Sequence, residues 1–222
     1  YIKADMRDYQ REGLRWLAQR YEDGCGAILG DEMGLGKTLQ TLSFLSWLKH
    51  ERPAEHGPSL VICPLSVLSS WLTEARKFVP DLRMVKLHSG DVRERDRLKH
   101  QLRDTSAYDV VVTTYEMLTA NLDALRQVRW EYMIIDEAHR LKEPKSQIYK
   151  ALTKITTRRR ILATGYPIQN RLDEYYALVD YARPNILGDD DLFKRFFEGP
   201  IVAYLDGGKN RGEALRRAHA LR

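Results

Sequence analysis

GDEMGLGKT, residues 30–38, lies between an apolar run, GAIL (26–29), and a helix-like run, TLQTLSFLSWLK (38–49). Strand, glycine-rich loop and helix in that order are the setting of a phosphate-binding loop. The strict pattern G-x-x-x-x-G-K-[ST] places its second glycine at Gly36, followed by Lys37 and Thr38. Its first glycine should then stand at position 31, which holds Asp31, while Gly30 comes one place early. On the loop reading, backbone N–H groups around Gly34, Leu35 and Gly36 curl around phosphate oxygens. The following helix adds its N-terminal dipole. Lys37 meets the β- and γ-phosphates, and Thr38 takes Mg²⁺. A solvated turn ahead of a helix is the competing reading of these nine residues.

Working outward, five further runs rich in β-branched residues read as strands: SLVIC (59–63), RMVKL (83–87), DVVVTT (109–114), YMIID (132–136) and RILAT (160–164). Most are unbroken rather than alternating, as in parallel strands covered on both faces. Helix-like stretches separate them at 66–78, with Ser66 as its expected cap, 91–103, 145–154 and 171–182. Strand alternating with helix predicts a doubly wound α/β domain with a mostly parallel sheet, whose ligands sit at the carboxyl ends of strands. The tail from Gly199 holds Gly207, Gly208 and Gly212 and then a basic helical pattern. It reads as a helical extension outside the sheet, so the expected division is 1–198 and 199–222.

IIDEAH (134–139) places two carboxylates directly after an apolar run. Asp136 can hold Mg²⁺, and Glu137 can orient or deprotonate an attacking water. A charged strand end explains the motif equally well in isolation. About a hundred residues after the loop and at another strand's carboxyl end, it makes a nucleotide site the better reading. Near the start, DYQREGLRWL sets Gln10 ahead of an amphipathic helix. Its amide can read an adenine edge bidentately, although a surface helix needs no such role.

The 222 residues are 43% hydrophobic and 30% charged, with net charge +5 and a pI near 9.1. That balance is ordinary for a globular domain and permits nucleic-acid binding. Two cysteines, Cys25 and Cys63, allow neither a disulfide framework nor a zinc site by spacing, which points to a reducing setting. No run of about 18 apolar residues is present to span a membrane. The first residue is Tyr1, and the stretch is expected to be a piece of a longer protein.

MRDYQREGLRWL (6–17), DEMGLGKT (31–38), VICPLSVLSSWLTEARKF (61–78), VVTTYEML (111–118), IIDEAHRLK (134–142) and LATGYPIQNRLDEYYALVDY (162–181) together resemble the Swi/Snf-type family of superfamily two ATPases, which are double-stranded DNA translocases and chromatin remodellers. In that family the first loop glycine is normally replaced. The resemblance implies a first RecA-like lobe, with ATP and Mg²⁺ as cofactors. Double-stranded DNA, nucleosomes and a second RecA-like lobe are the implied partners, and the implied location is nuclear. It implies that Arg7 and Gln10 bind the nucleotide base side. Gly34, Leu35, Gly36, Lys37 and Thr38 are implied to hold phosphate and metal, and Asp136 and Glu137 to be catalytic with Lys37. Residues 64–71, with Ser66, and Thr113, Thr114 and Tyr115 match motifs that contact a DNA strand. Arg140 and Lys142 are further expected contacts. Gly165, Gln169 and Asn170 match the motif that couples hydrolysis to DNA engagement.

Three positions depart from the family pattern: Tyr166 where threonine is common, Asp8 for proline, and Glu143 for asparagine. NILGDDDLFKRFFEGPI (185–201) resembles the recombination and repair branches more than the nucleosome-sliding branch. The family's hydrolysis needs arginines from its second lobe, so this stretch alone is expected to bind nucleotide weakly and turn it over poorly. Two rivals stay open, an RNA helicase with the same core and a non-hydrolysing interaction module.

Overall fold

In the computed structural model, residues 1–55, 57–141, 143, 146–165, 172–205 and 211–221 are described. The chain runs α1 (Asp8–Glu22), β1 (Ala27–Leu29), α2 (Lys37–Glu51), β2 (Ser59–Cys63), α3 (Leu65–Phe78), β3 (Met84–Leu87), α4 (Val92–Gln101), β4 (Val110–Thr114), α5 (Tyr115–Ala120), α6 (Leu122–Leu125) and β5 (Trp130–Asp136). A single 3₁₀ turn (Ala138–Leu141), α7 (Gln147–Leu152), β6 (Thr157–Ala163) and α8 (Leu172–Ala182) follow. The six strands form one sheet in the order β1-β6-β5-β2-β4-β3. Every pairing is parallel. The expected α/β sheet is therefore present, and it is wholly parallel.

Burial on both faces explains the unbroken apolar runs. Leu60, Ile62, Val111, Met133 and Ile135 point to one side, where they pack with Leu98, Leu118, Leu125 and Leu178 from α4, α5, α6 and α8. Their neighbours Val61, Cys63, Val112, Tyr132 and Ile134 point to the other, against Leu17, Leu42, Phe44, Leu68 and Trp71 from α1, α2 and α3. These strand residues thus have helices over them on both faces, and they leave water on folding.

Three sequence boundaries change. Helix α3 starts at Leu65 with Pro64 as its N-cap, so Ser66 lies inside the first turn and does not cap it. Proline there fixes the entry angle without needing a partner for an N–H. Strand β6 begins at Thr157, so Arg158, Arg159 and Arg160 belong to it. Glu131 on β5 is buried and pairs with Arg158 and Arg159. Arg159 and Arg160 lay their guanidinium planes over the Tyr21 and Tyr181 rings. Charge is tolerated in this strand because β5 supplies a buried carboxylate and α1 and α8 supply one aromatic face each. Helix α1 starts at Asp8, so Gln10 lies inside its first turn and not ahead of it, and Asp8 takes the first helical position, where proline and an acidic residue are both favoured.

Among the described residues, 190–205 are helical without a break, as α9 (Asp190–Phe193), a π turn (Lys194–Glu198) and α10 (Gly199–Leu205), and α11 spans Arg211–Ala220. Gly199, where the division is expected, begins α10 directly after the π turn. Phe193 anchors it, fully buried and packed against Tyr176 of α8 and Phe197.

Candidate active site

Strand order assembles the site. Strand β6 lies between β1 and β5. With all strands parallel, the loop after β1, the carboxylates ending β5 and Gly165 after β6 meet along one carboxyl edge. Thr164 and Gly165, directly after β6, lie between loop and carboxylates in strand order.

In the loop, Gly34 and Gly36 both take left-handed backbone, with φ of 86° and 83°. Gly36 is also the N-cap of α2. A Cβ there would come within 2.5 Å of Gln10 Nε2, so both conformation and space require glycine. Lys37 folds back over the loop, donating from Nζ to the carbonyls of Asp31 (2.7 Å) and Glu32 (3.0 Å). An ammonium has three donors, so one remains for a phosphate oxygen. Thr38 is half-buried in the first turn of α2.

Asp31, the departure from the strict pattern, has a partner of its own. Its carboxylate accepts from Gln40 Nε2 at 2.9 Å, which ties the start of the loop to the first turns of α2. Gln40 is fully buried where α1 crosses at Gly13, and a Cβ on Gly13 would fall 1.8 Å from Gln40 Oε1. Gln10 closes the loop from the other side. It accepts from the Arg7 N–H (3.0 Å) and donates from Nε2 to the Leu35 carbonyl (3.1 Å). One amide hydrogen and one lone pair stay available for a base edge. The Arg7 side chain is exposed beside it. On the β6 side, a Cβ at Gly165 would meet Met33 Cγ at 3.1 Å, so glycine lets this segment touch the loop.

At the end of β5, both oxygens of Asp136 are engaged. Oδ2 accepts from the Trp71 indole N–H at 2.9 Å, and Oδ1 accepts from the Glu137 N–H at 3.0 Å. Burial pushes the Asp136 carboxyl above its ordinary range, the Trp71 hydrogen bond opposes this, and the Glu137 charge reinforces it. Glu74, one turn beyond Trp71 on α3, is raised by burial and then by the Asp136 charge. Glu137 has φ of 55°, left-handed backbone in a non-glycine residue. His139 Nδ1 lies 3.2 Å from Glu137 Oε2. Lysine, a hydroxyl, carboxylate oxygens and a glycine-lined helix N-terminus fit Mg²⁺ with a nucleotide, because Mg²⁺ takes oxygen ligands from one or two side chains plus phosphates.

The expected DNA-contacting residues divide. Ser66 and Arg140 are exposed. Thr113, Thr114 and Tyr115 are buried, each at 1% exposure or less. Thr113 Oγ1 donates to the Leu87 carbonyl, Thr114 Oγ1 caps α5 by accepting from the Met117 N–H, and the Tyr115 hydroxyl donates to the Asp136 carbonyl. Those hydroxyls face inward and each bonds a protein group, which gives them a structural role. The end of β4 turns straight into α5, and this draws them inside. Lys142, Gln169, Asn170 and Tyr166 lie outside the described residues.

Sequence reasoning missed Gln40 and the inward role of Trp71. Their partners, Asp31 and Asp136, lie 9 and 65 residues away. The only signal was a polar residue on a helix face that should be apolar.

A sequence profile of the SNF2-related domain matches residues 9–221. The chain is 41% identical over 218 residues to the ISWI chromatin-remodeling complex ATPase CHR11 of Arabidopsis thaliana, covering 98% of the chain and 20% of that protein. It is 42% identical over 199 residues to the ISWI ATPase ISW2 of Saccharomyces cerevisiae, covering 89% of the chain and 18% of that protein. The structure of the Sulfolobus solfataricus SWI2/SNF2 ATPase core in complex with dsDNA superposes with a TM-score of 0.81 at 38% identity, over 97% of this chain and 43% of that one. These two relatives carry remodeller names, and the branch reading of residues 185–201 finds no support in them. The chain spans about a fifth of the length of the curated relatives it matches. It belongs to the SNF2-related domain family.

Proposed function

We propose that this chain is the ATP-binding lobe of an ATP-dependent translocase on double-stranded DNA, working on chromatin in the nucleus. The observation that carries this reading is the carboxyl edge β1-β6-β5, where the Lys37 loop, the Asp136–Glu137 pair and Gly165 come together. Gln10, bonded to the loop carbonyl at Leu35, stands where the base would lie. Lys37 turns from the loop carbonyls to the phosphates, and Glu137 orients a water for in-line attack on the γ-phosphate. Thr38 and Asp136 hold Mg²⁺, which when bound offsets charge on the phosphate oxygens. Ser66 and Arg140, exposed after the carboxyl ends of β2 and β5, meet a duplex through its backbone, so affinity falls with added salt. A second lobe, from outside these residues, supplies arginines worth about 10³–10⁵ in rate in related phosphoryl transfer.

The test is the ATPase rate of the full-length protein with and without duplex DNA, beside Lys37→Ala. DNA-stimulated turnover that Lys37→Ala abolishes supports the reading. Equal rates for parent and variant remove the site, and stronger stimulation by RNA than by B-form DNA replaces the translocase with an RNA helicase.

A further inference from the structure

We propose that Trp71 and Tyr115 are positioning residues for the Asp136–Glu137 pair, the indole fixing the metal-binding carboxylate and the phenol fixing the main chain that carries the water-orienting one. The proposal rests on the ATPase reading above and assigns work to two buried side chains.

Trp71 is 1% exposed and sits in the core beneath α3, a place that any large apolar side chain would fill. A buried indole N–H needs an acceptor, and here that acceptor is Asp136 Oδ2 at 2.9 Å. The Glu137 N–H holds Oδ1 at the same time, so the carboxylate plane cannot rotate without losing one of the two bonds. Each oxygen keeps a lone pair for a cation. A hydrogen-bonded ligand of this kind is aimed before the metal arrives.

Tyr115 acts on the next residue. Its hydroxyl donates to the Asp136 carbonyl at 2.6 Å and lies 3.4 Å from the Glu137 carbonyl. Between those carbonyls the backbone turns left-handed at Glu137. Such a conformation is unfavourable for a non-glycine residue and persists only where surrounding contacts enforce it. The buried phenol is that contact. Arg140, 4.9 Å from the Tyr115 ring centroid, covers its open face.

Trp71→Phe and Tyr115→Phe in the full-length protein remove the N–H and the O–H. Two measurements separate their roles: the Mg²⁺ concentration that half-saturates binding of a fluorescent ATP analogue, and kcat against KM for ATP. Trp71→Phe is expected to raise the Mg²⁺ requirement by about 10-fold, the usual effect of losing a group that orients a metal ligand. Tyr115→Phe is expected to lower kcat by about 10-fold with KM for ATP and the Mg²⁺ requirement within about twofold of the parent. Melting within a few degrees of the parent separates these effects from unfolding. Parental Mg²⁺ dependence in folded Trp71→Phe, or parental kcat in Tyr115→Phe, overturns the proposal. Because Tyr115→Phe deletes one oxygen, its kcat tests the proposal even where Trp71→Phe does not fold. Lys37→Ala run alongside keeps the outcomes apart: if it retains activity, the ATPase reading fails. If it is inactive while both phenylalanine variants match the parent, only the positioning roles fail.

Discussion

Gly36 meets two demands at once, left-handed backbone and a 2.5 Å approach to Gln10 Nε2. Gly36→Ala should therefore destabilise by about 1–2 kcal/mol and push Gln10 off the Leu35 carbonyl. Urea denaturation and nucleotide binding check the two effects, and an unchanged midpoint would refute the first. Glu137 presents the opposite case, a side chain kept for chemistry where the backbone prefers glycine. Glu137→Gly should be more stable than Glu137→Ala by about 1 kcal/mol, since only the alanine retains the left-handed strain. Both should be inactive in the full-length protein. Equal stabilities of the two variants would show that the turn carries no strain. At this scale the sequence was legible in part. Lys37, Thr38, Asp136 and Glu137 could be singled out because they are the residue types that phosphate and metal would demand, and the fold brings their strand ends to one edge. Asp31 looked like a defect because its explanation, Gln40, lies on the next helix and pairs only after folding.

Elements have their own test at the junction of β4 and α5. Thr114 Oγ1 accepts from the Met117 N–H and caps α5. Thr114→Val should cost about 1 kcal/mol of stability by losing that cap. It should leave the salt dependence of DNA binding in the full-length protein unchanged, and a shallower dependence would restore Thr114 as a phosphate contact. Helix α1 is tested at Gly13. Gly13→Ala drives a Cβ into Gln40, and the expected loss is about 1–3 kcal/mol by overpacking, read by thermal melting. All six strands left an apolar run in the sequence, most of them uninterrupted because their residues are covered on both faces. Their order was not, because parallel strands are joined by crossovers whose placement no local pattern records. The short helices α5 and α6 were also hidden, packed into a stretch (115–125) too brief to show a helical period. The start of β6 was masked by three arginines whose partners, Glu131, Tyr21 and Tyr181, come from elsewhere in the chain.

The whole molecule sets the fate of its two thiols. Burial pushes Cys63 up to about 12, and it is fully covered. Cys25 is only half-buried beside Arg183 Nη1, 3.1 Å away. A thiol reagent at pH 8 should find one reactive cysteine in the folded protein and two in urea; two fast thiols without urea would contradict the packing. The same burial governs alkaline stability. Tyr21, by burial and then its bond to Glu55, and Tyr108, by burial, are raised from 10 to about 12. The fold thus keeps phenols neutral that the unfolded chain ionises. Their contribution is complete below pH 10 and is lost as pH climbs towards about 12. The urea midpoint should fall across that window, and less steeply in Tyr21→Phe. Strand order has a last consequence, for biosynthesis. Strand β1 borders the sheet, and its neighbour is β6, so Ala27 waits for Ile161. At about 5–20 residues per second, a ribosome takes on the order of ten seconds to make the intervening chain. Through that interval the phosphate loop has no strand to stand on. Nucleotide can therefore bind only after the sheet is complete, and a nascent chain stopped before Thr157 should ignore it.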